Sequence, residues 1–124
     1  MVNSYAKGYM AEWKLTHILA GRGYMVMRAP RSGRIGLACP DIIAAKDGKL
    51  IVLEVKSRAE AFQISMEQLT DLKKWEDVGG AKAYIVWKVS RRGWFFFHLK
   101  DVVDNKGNMG KKFLEAKGFG IDKI

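Results

Sequence analysis

Pro40-Asp41-Ile42-Ile43-Ala44-Ala45-Lys46-Asp47-Gly48-Lys49-Leu50-Ile51-Val52-Leu53-Glu54-Val55-Lys56 holds two apolar runs joined by Asp-Gly. That pair between apolar runs signals a two-residue β-hairpin, because both turn residues must adopt positive φ. With Asp47 and Gly48 as the loop, Lys46 pairs with Lys49, Ala45 with Leu50, Ile43 with Val52 and Asp41 with Glu54. Directly paired residues share a face, with Cβ atoms about 4.5–5.5 Å apart. Two carboxylates so placed repel unless a cation lies between them. Lys56, two residues beyond Glu54, points to the same face. The face Leu50, Val52, Glu54, Lys56 therefore runs from apolar to charged, and such a break in local pattern is where a functional site is expected.

Upstream of the hairpin, Asn3 and Ser4 are candidate N-caps for a helix. Gly8, Ala11, Leu15, Ile18 and Leu19 recur at helical spacing, and Gly21 and Gly23 end the run. Glu12 falls inside that stripe, so its charge needs a partner. Tyr24 to Arg28 reads as a short strand, and Ala29 to Cys39 as a loop rich in Gly and Arg. Downstream, Ser65 caps a second helix, with Gln68 three residues later in capping-box position. That helix turns Leu69, Leu72 and Trp75 inward and stops at Gly79-Gly80. Ala83 to Val89 and Trp94 to Leu99 read as two further strands, and Lys111 to Lys117 as a short last helix. The order is helix, three strands, helix, two strands (αβββαββ). That order implies an α/β fold with a central mixed sheet flanked by helices, not an alternating parallel one.

The chain has 124 residues, 48% of them apolar, which fits one domain over residues 1–124 with a packed core. Lys and Arg number 22 against 13 acidic residues, a net charge of +9. An excess this large points to a polyanionic partner, most often nucleic acid. Cys39 is the only cysteine, which excludes an intrachain disulfide and a cysteine-based zinc site and suits a reducing cytoplasm. No apolar run approaches a membrane span, and Met1 to Ala11 lacks the apolar core of a signal peptide.

Oxygen ligands from Asp41 and Glu54 suit Mg²⁺, which takes one or two carboxylates and keeps several waters. Lys56 is placed to orient an attacking water or to stabilise charge developing on phosphate oxygens. Glu12 could add a third carboxylate. The plain alternative makes Asp41 a turn residue after Pro40 and Glu54–Lys56 a surface pair. The shared register and the basic chain together favour the metal site.

Pro40-Asp41, then twelve residues, then Glu54-Val55-Lys56 resembles the PD-(D/E)xK signature of restriction-endonuclease-like nucleases. The surroundings are similar to archaeal Holliday junction resolvases: Lys7-Gly8, Ala11-Glu12, Gly23-Tyr24, Arg28-Ala29-Pro30, Ser32-Gly33, Pro40 to Ala44, Glu54 to Arg58, Gln68 and Gly79-Gly80. This resemblance implies the restriction-endonuclease-like fold and a homodimer that cuts four-way DNA junctions by paired symmetric nicks. It implies Glu12, Asp41, Glu54 and the Val55 backbone carbonyl as ligands of Mg²⁺, with Mn²⁺ able to substitute. Lys56 matches the motif lysine. Arg28 and Ser32 match positions near the scissile phosphate, and Arg58 belongs with the DNA contacts. Trp13 stands where some members carry Arg, which puts a phosphate contact there in doubt.

Arg28, Arg31 and Arg34 bracket the loop with Ser32, where phosphate contacts would give salt-sensitive affinity. Gln68 orders waters at the metal site or serves only its cap. No organic cofactor and no membrane is expected. The rivals are another PD-(D/E)xK endonuclease of repair or restriction type, a DNA-binding protein with a relic site, and a small-molecule phosphodiesterase. The alternation of Trp94 and Phe96 with Phe95 and Phe97 leaves both sheet faces apolar. One of them, or the second helix through Trp75, is then open to a partner subunit.

Overall fold

The hairpin forms in the expected register: Lys46 opposes Lys49, Ala45 Leu50 and Ile43 Val52. Its turn residues Asp47 and Gly48 both have positive φ, 53° and 76°, the combination that matches the twist of the flanking strands. The computed structural model describes residues 4–29 and 37–124. Among these, the elements are α1 (Ser4–Gly21), β1 (Met25–Arg28), β2 (Ile42–Lys46), β3 (Lys49–Arg58), β4 (Phe62–Gln63), α2 (Met66–Asp77), β5 (Lys82–Val89), β6 (Gly93–His98), α3 (Leu99–Asp104), β7 (Asn108–Met109) and α4 (Lys111–Lys117), before a 3₁₀ turn at Ile121–Lys123. Asn3, a candidate cap, lies outside the described residues.

Five strands form one sheet in the order β1-β2-β3-β5-β6. β3 and β5 run parallel and the other neighbours antiparallel, so the sheet is mixed as expected. A parallel step needs a crossover, and α2 provides it. β3 sits at the centre with helices on both sides, which explains its near-continuous apolar run. On one side Ala11, Leu15 and Leu19 of α1 pack with Ile42, Leu53, Val55 and Phe96. On the other, Leu69 and Leu72 of α2 pack with Val52, Ile85, Trp87 and Phe97.

The C-terminal part holds more structure than the sequence pattern gave. β7 pairs with β4 in a separate two-stranded ribbon. Phe113 of α4 stacks on Phe97 at 5.3 Å between ring centroids, and Phe119 exchanges backbone hydrogen bonds with Phe96. This corrects the expectation of an apolar face left open on β6, because Phe96 and Phe97 are fully buried within the chain. Trp75 is likewise engaged internally, donating its indole N–H to the Ala38 carbonyl at 3.0 Å. The exposed large apolar residues include Met25 (78%) and Met27 (66%) on the edge strand β1. Among the described residues no helix is long and apolar enough to cross a membrane.

Candidate active site

At the open end of the hairpin the β2–β3 ladder stops at Ile42–Leu53, and Asp41 takes over from it. Its Oδ2 accepts the Val55 N–H at 2.8 Å, a position that a longer β2 would have filled with backbone. The N–H and C=O of one strand residue point to the same edge, so the Val55 carbonyl faces the gap that Asp41 occupies. Glu54 is buried beside them. Lys56 Nζ lies 3.5 Å from Glu54 Oε2, with only 17% and 11% of the two side chains exposed.

This end of the sheet holds negative charge under strain. Burial first, then the charge of Asp41, push the Glu54 carboxyl up to about 8 against the pull of Lys56. Burial also raises Asp41, although the Val55 N–H and Lys56 work against it. Glu12 is raised by burial and by Asp41, opposed by Arg28. Carboxyls desolvated and crowded in this way concentrate at functional sites.

Glu12 approaches from the α1 side of the sheet, apart from the Asp41–Glu54 pair. Its Oε1 accepts the Arg28 Nε–H at 3.0 Å. Among the described residues no three His, Cys, Asp or Glu side chains are already gathered around one ion position. The structure therefore brings Asp41, Glu54, Lys56 and the Val55 backbone together, and holds Glu12 near them through Arg28. The sequence had assigned no partner to Glu12.

A cavity of about 250 Å³ opens between the hairpin and α2, lined by Asp41, Glu54, Gln68, Asp71, Leu72 and Trp75 among others. The Gln68 backbone N–H donates to Ser65 Oγ at 3.1 Å, which forms the helix cap. Only that half of the capping box forms among the described residues: the Gln68 side chain makes no bond back to the Ser65 N–H and lines the cavity instead. Asp71 and Trp75 line this cavity, a placement that sequence reasoning did not foresee. Gln68, Asp71, Leu72 and Trp75 lie at helical spacing on one stripe, and its polar members were the available signal. A larger cleft of about 800 Å³ at the turn end carries Lys46, Lys49 and Lys82 rather than paired carboxylates.

Arg58 projects to the same face as Glu54 and Lys56, is exposed, and lies over the Phe62 ring at 5.5 Å. Arg31, Ser32 and Arg34 lie outside the described residues. Trp13 is 46% exposed, with its ring 4.3 Å from that of His17. Lys73 and Lys100 pair with acids on their own helices, Asp77 at 3.0 Å and Asp104 at 2.7 Å.

Comparison with known proteins adds an independent line. The model of the archaeal Holliday junction resolvase (Hjc) family matches residues 3–120. The crossover junction endodeoxyribonuclease Hjc of Archaeoglobus fulgidus is 32% identical over 77% of this chain and 71% of its own length. That of Sulfolobus acidocaldarius is 31% identical over 73% of this chain and 65% of its own length, just under two thirds. A 1.6 Å structure of Archaeoglobus fulgidus Hjc superposes with TM-score 0.84 at 26% identity, covering 94% of this chain and 98% of that one. The bacterial homing endonuclease I-Ssp6803I shares the fold, with TM-score 0.57 at 17% identity over 90% of this chain and 78% of that one.

Proposed function

The chain belongs to the archaeal Holliday junction resolvase family, and from that premise we propose that it resolves four-way DNA junctions by paired, symmetric, magnesium-dependent nicks. The observation that carries this reading is the buried Asp41–Glu54 pair with Lys56 at 3.5 Å from Glu54. The donor set suits Mg²⁺, since every candidate ligand atom is an oxygen and two of the carboxyls are buried side by side. Asp41, Glu54 and the Val55 carbonyl would hold the ion, with Glu12 completing or adjusting the set, and Mn²⁺ would substitute. When bound, the ion activates water and stabilises charge on the phosphate oxygens.

The protein's own groups do the rest. Asp41 is fixed by the Val55 N–H, so its free oxygen is oriented without cost at the moment of reaction. Lys56, held in place by Glu54, directs an ammonium group to the attacking water or the developing charge. Arg28 meets the scissile phosphate, and Arg58 extends the contact along the backbone. Arg31, Ser32 and Arg34 are expected to contact the DNA in this reading. Gln68 orders water in the cavity wall. The protein works in the reducing cytoplasm as a homodimer, which places two sites on a substrate with two-fold symmetry. The exposed Met25 and Met27 are apolar surface that a second subunit would cover.

The test is cleavage of an immobile four-way junction in Mg²⁺ beside a linear duplex of the same sequence. Paired symmetric nicks in the junction alone are expected. Equal cutting of both would reassign the chain to general endonuclease activity, and tight junction binding without cutting would make it a binding protein.

A further inference from the structure

We propose that Tyr9 is a positioning residue that holds the Arg28 guanidinium in place for a DNA phosphate; this rests on the phosphate role given to Arg28 above. Arg28 ends the edge strand β1 with a side chain 34% exposed. A long arginine side chain free in solvent samples many rotamers, and ordering it costs conformational entropy. Two neighbours restrain this one. Glu12 Oε1 accepts from Nε at 3.0 Å, and the Tyr9 ring lies under Cζ at 4.2 Å from its centroid. That distance is well inside the cation–π range of about 6 Å.

Tyr9 and Glu12 stand one turn apart on α1, so a single helix face supplies both restraints. They differ in what they consume. Glu12 takes the Nε–H and offsets the positive charge. The ring takes no N–H and leaves the charge intact. Among the described residues Nε is the only Arg28 nitrogen engaged, so the two terminal NH₂ groups remain available. Those groups form the fork that matches two phosphate oxygens. Arg28 is also close enough to Asp41 to oppose the rise of its carboxyl. A phosphate arriving at Asp41 therefore meets a guanidinium already restrained beside it.

The test is single-turnover cleavage of a four-way junction at saturating full-length protein, for Tyr9→Leu, Tyr9→Phe, Arg28→Ala and the double variant Tyr9→Leu/Arg28→Ala. Tyr9 is exposed, and equal melting temperatures confirm that the variants fold. Tyr9→Leu slows cleavage by about tenfold, and Tyr9→Phe recovers most of that loss because the ring remains. In the Arg28→Ala background Tyr9→Leu has no further effect. An equal loss in that background would show the ring acting on the DNA directly and overturn the proposal, as would Tyr9→Phe falling with Tyr9→Leu. Arg28→Ala cutting at the normal rate would instead remove the phosphate contact, and the proposal with it.

Discussion

At its closed end the β2–β3 hairpin follows the rules of turn chemistry and keeps its charges at the surface. Asp47 and Gly48 take the positive φ values the turn demands, Lys49 is exposed, and Lys46 donates to the Arg22 carbonyl at 2.7 Å. At its open end, one step past the last ladder pair Ile42–Leu53, Asp41 meets Glu54; burial raises both carboxyls, and the charge of Asp41 raises Glu54 further. Nothing in backbone geometry requires the second arrangement, since an apolar pair would extend the core there at lower cost. A fold that satisfies its rules at one end and breaks them at the other retains the break for chemistry. The two ends are therefore expected to respond to mutation in opposite ways.

The largest effect should come from Glu54→Gln. It removes a candidate ligand and reduces junction cleavage by more than about a hundredfold, while junction binding, measured by fluorescence anisotropy, persists or tightens. Normal cutting would remove the contrast between the ends. Lys56→Met should slow single-turnover cleavage by about a hundredfold, and the rate should not recover at higher pH, because the group itself is absent. At the closed end, Gly48→Val should leave the cleavage rate per folded molecule unchanged and destabilise the protein by about 1–3 kcal/mol in urea unfolding, since a β-branched residue is strained at φ 76°. A lost rate without lost stability would mean that the turn belongs to the site. The smallest expected effect is that of Arg58→Ala, which should lower the slope of log affinity against log salt by about one phosphate contact.

Much of this contrast was legible in the sequence. Asp-Gly set the hairpin, counting outward set the Asp41–Glu54 register, and the apolar stripe of α1 gave the helix behind it. Other features depend on contacts far apart in sequence. The Glu12–Arg28 bond joins residues separated by β1 and the α1 C-terminus, and periodicity within either element cannot report it. β4 and β7 have two residues each, too few for an alternation to register, and exist because they pair with one another. α3 follows β6 directly and has only six residues, below the length at which helical spacing is distinctive. With α4 it closes over Phe97, while α1 and Phe119 cover Phe96 on the opposite face, which is why the aromatic run Trp94 to Phe97 read as open surface while Phe96 and Phe97 are core. Asp71 was passed over because a lone acid on a helix is ordinarily a solvated one. Only the packing of α2 against the hairpin brings it to the cavity.

Burial and Asp41 raise Glu54 from an ordinary value of 4.5 to about 8, so the folded protein holds that proton more tightly than the unfolded chain does. The stability this provides is complete below about 4.5 and is lost as pH rises through about 8. A bound divalent cation replaces the proton and reverses the loss. The decisive measurement is the melting temperature of the wild type and Glu54→Gln across that pH range, in chelator and in Mg²⁺. In chelator the wild type is expected to lose stability towards high pH, while Glu54→Gln does not and is the more stable at pH 8. Mg²⁺ is expected to stabilise the wild type alone. A wild type indifferent to Mg²⁺ and no less stable than Glu54→Gln at high pH would contradict the claim that the open end of the hairpin is a cation site.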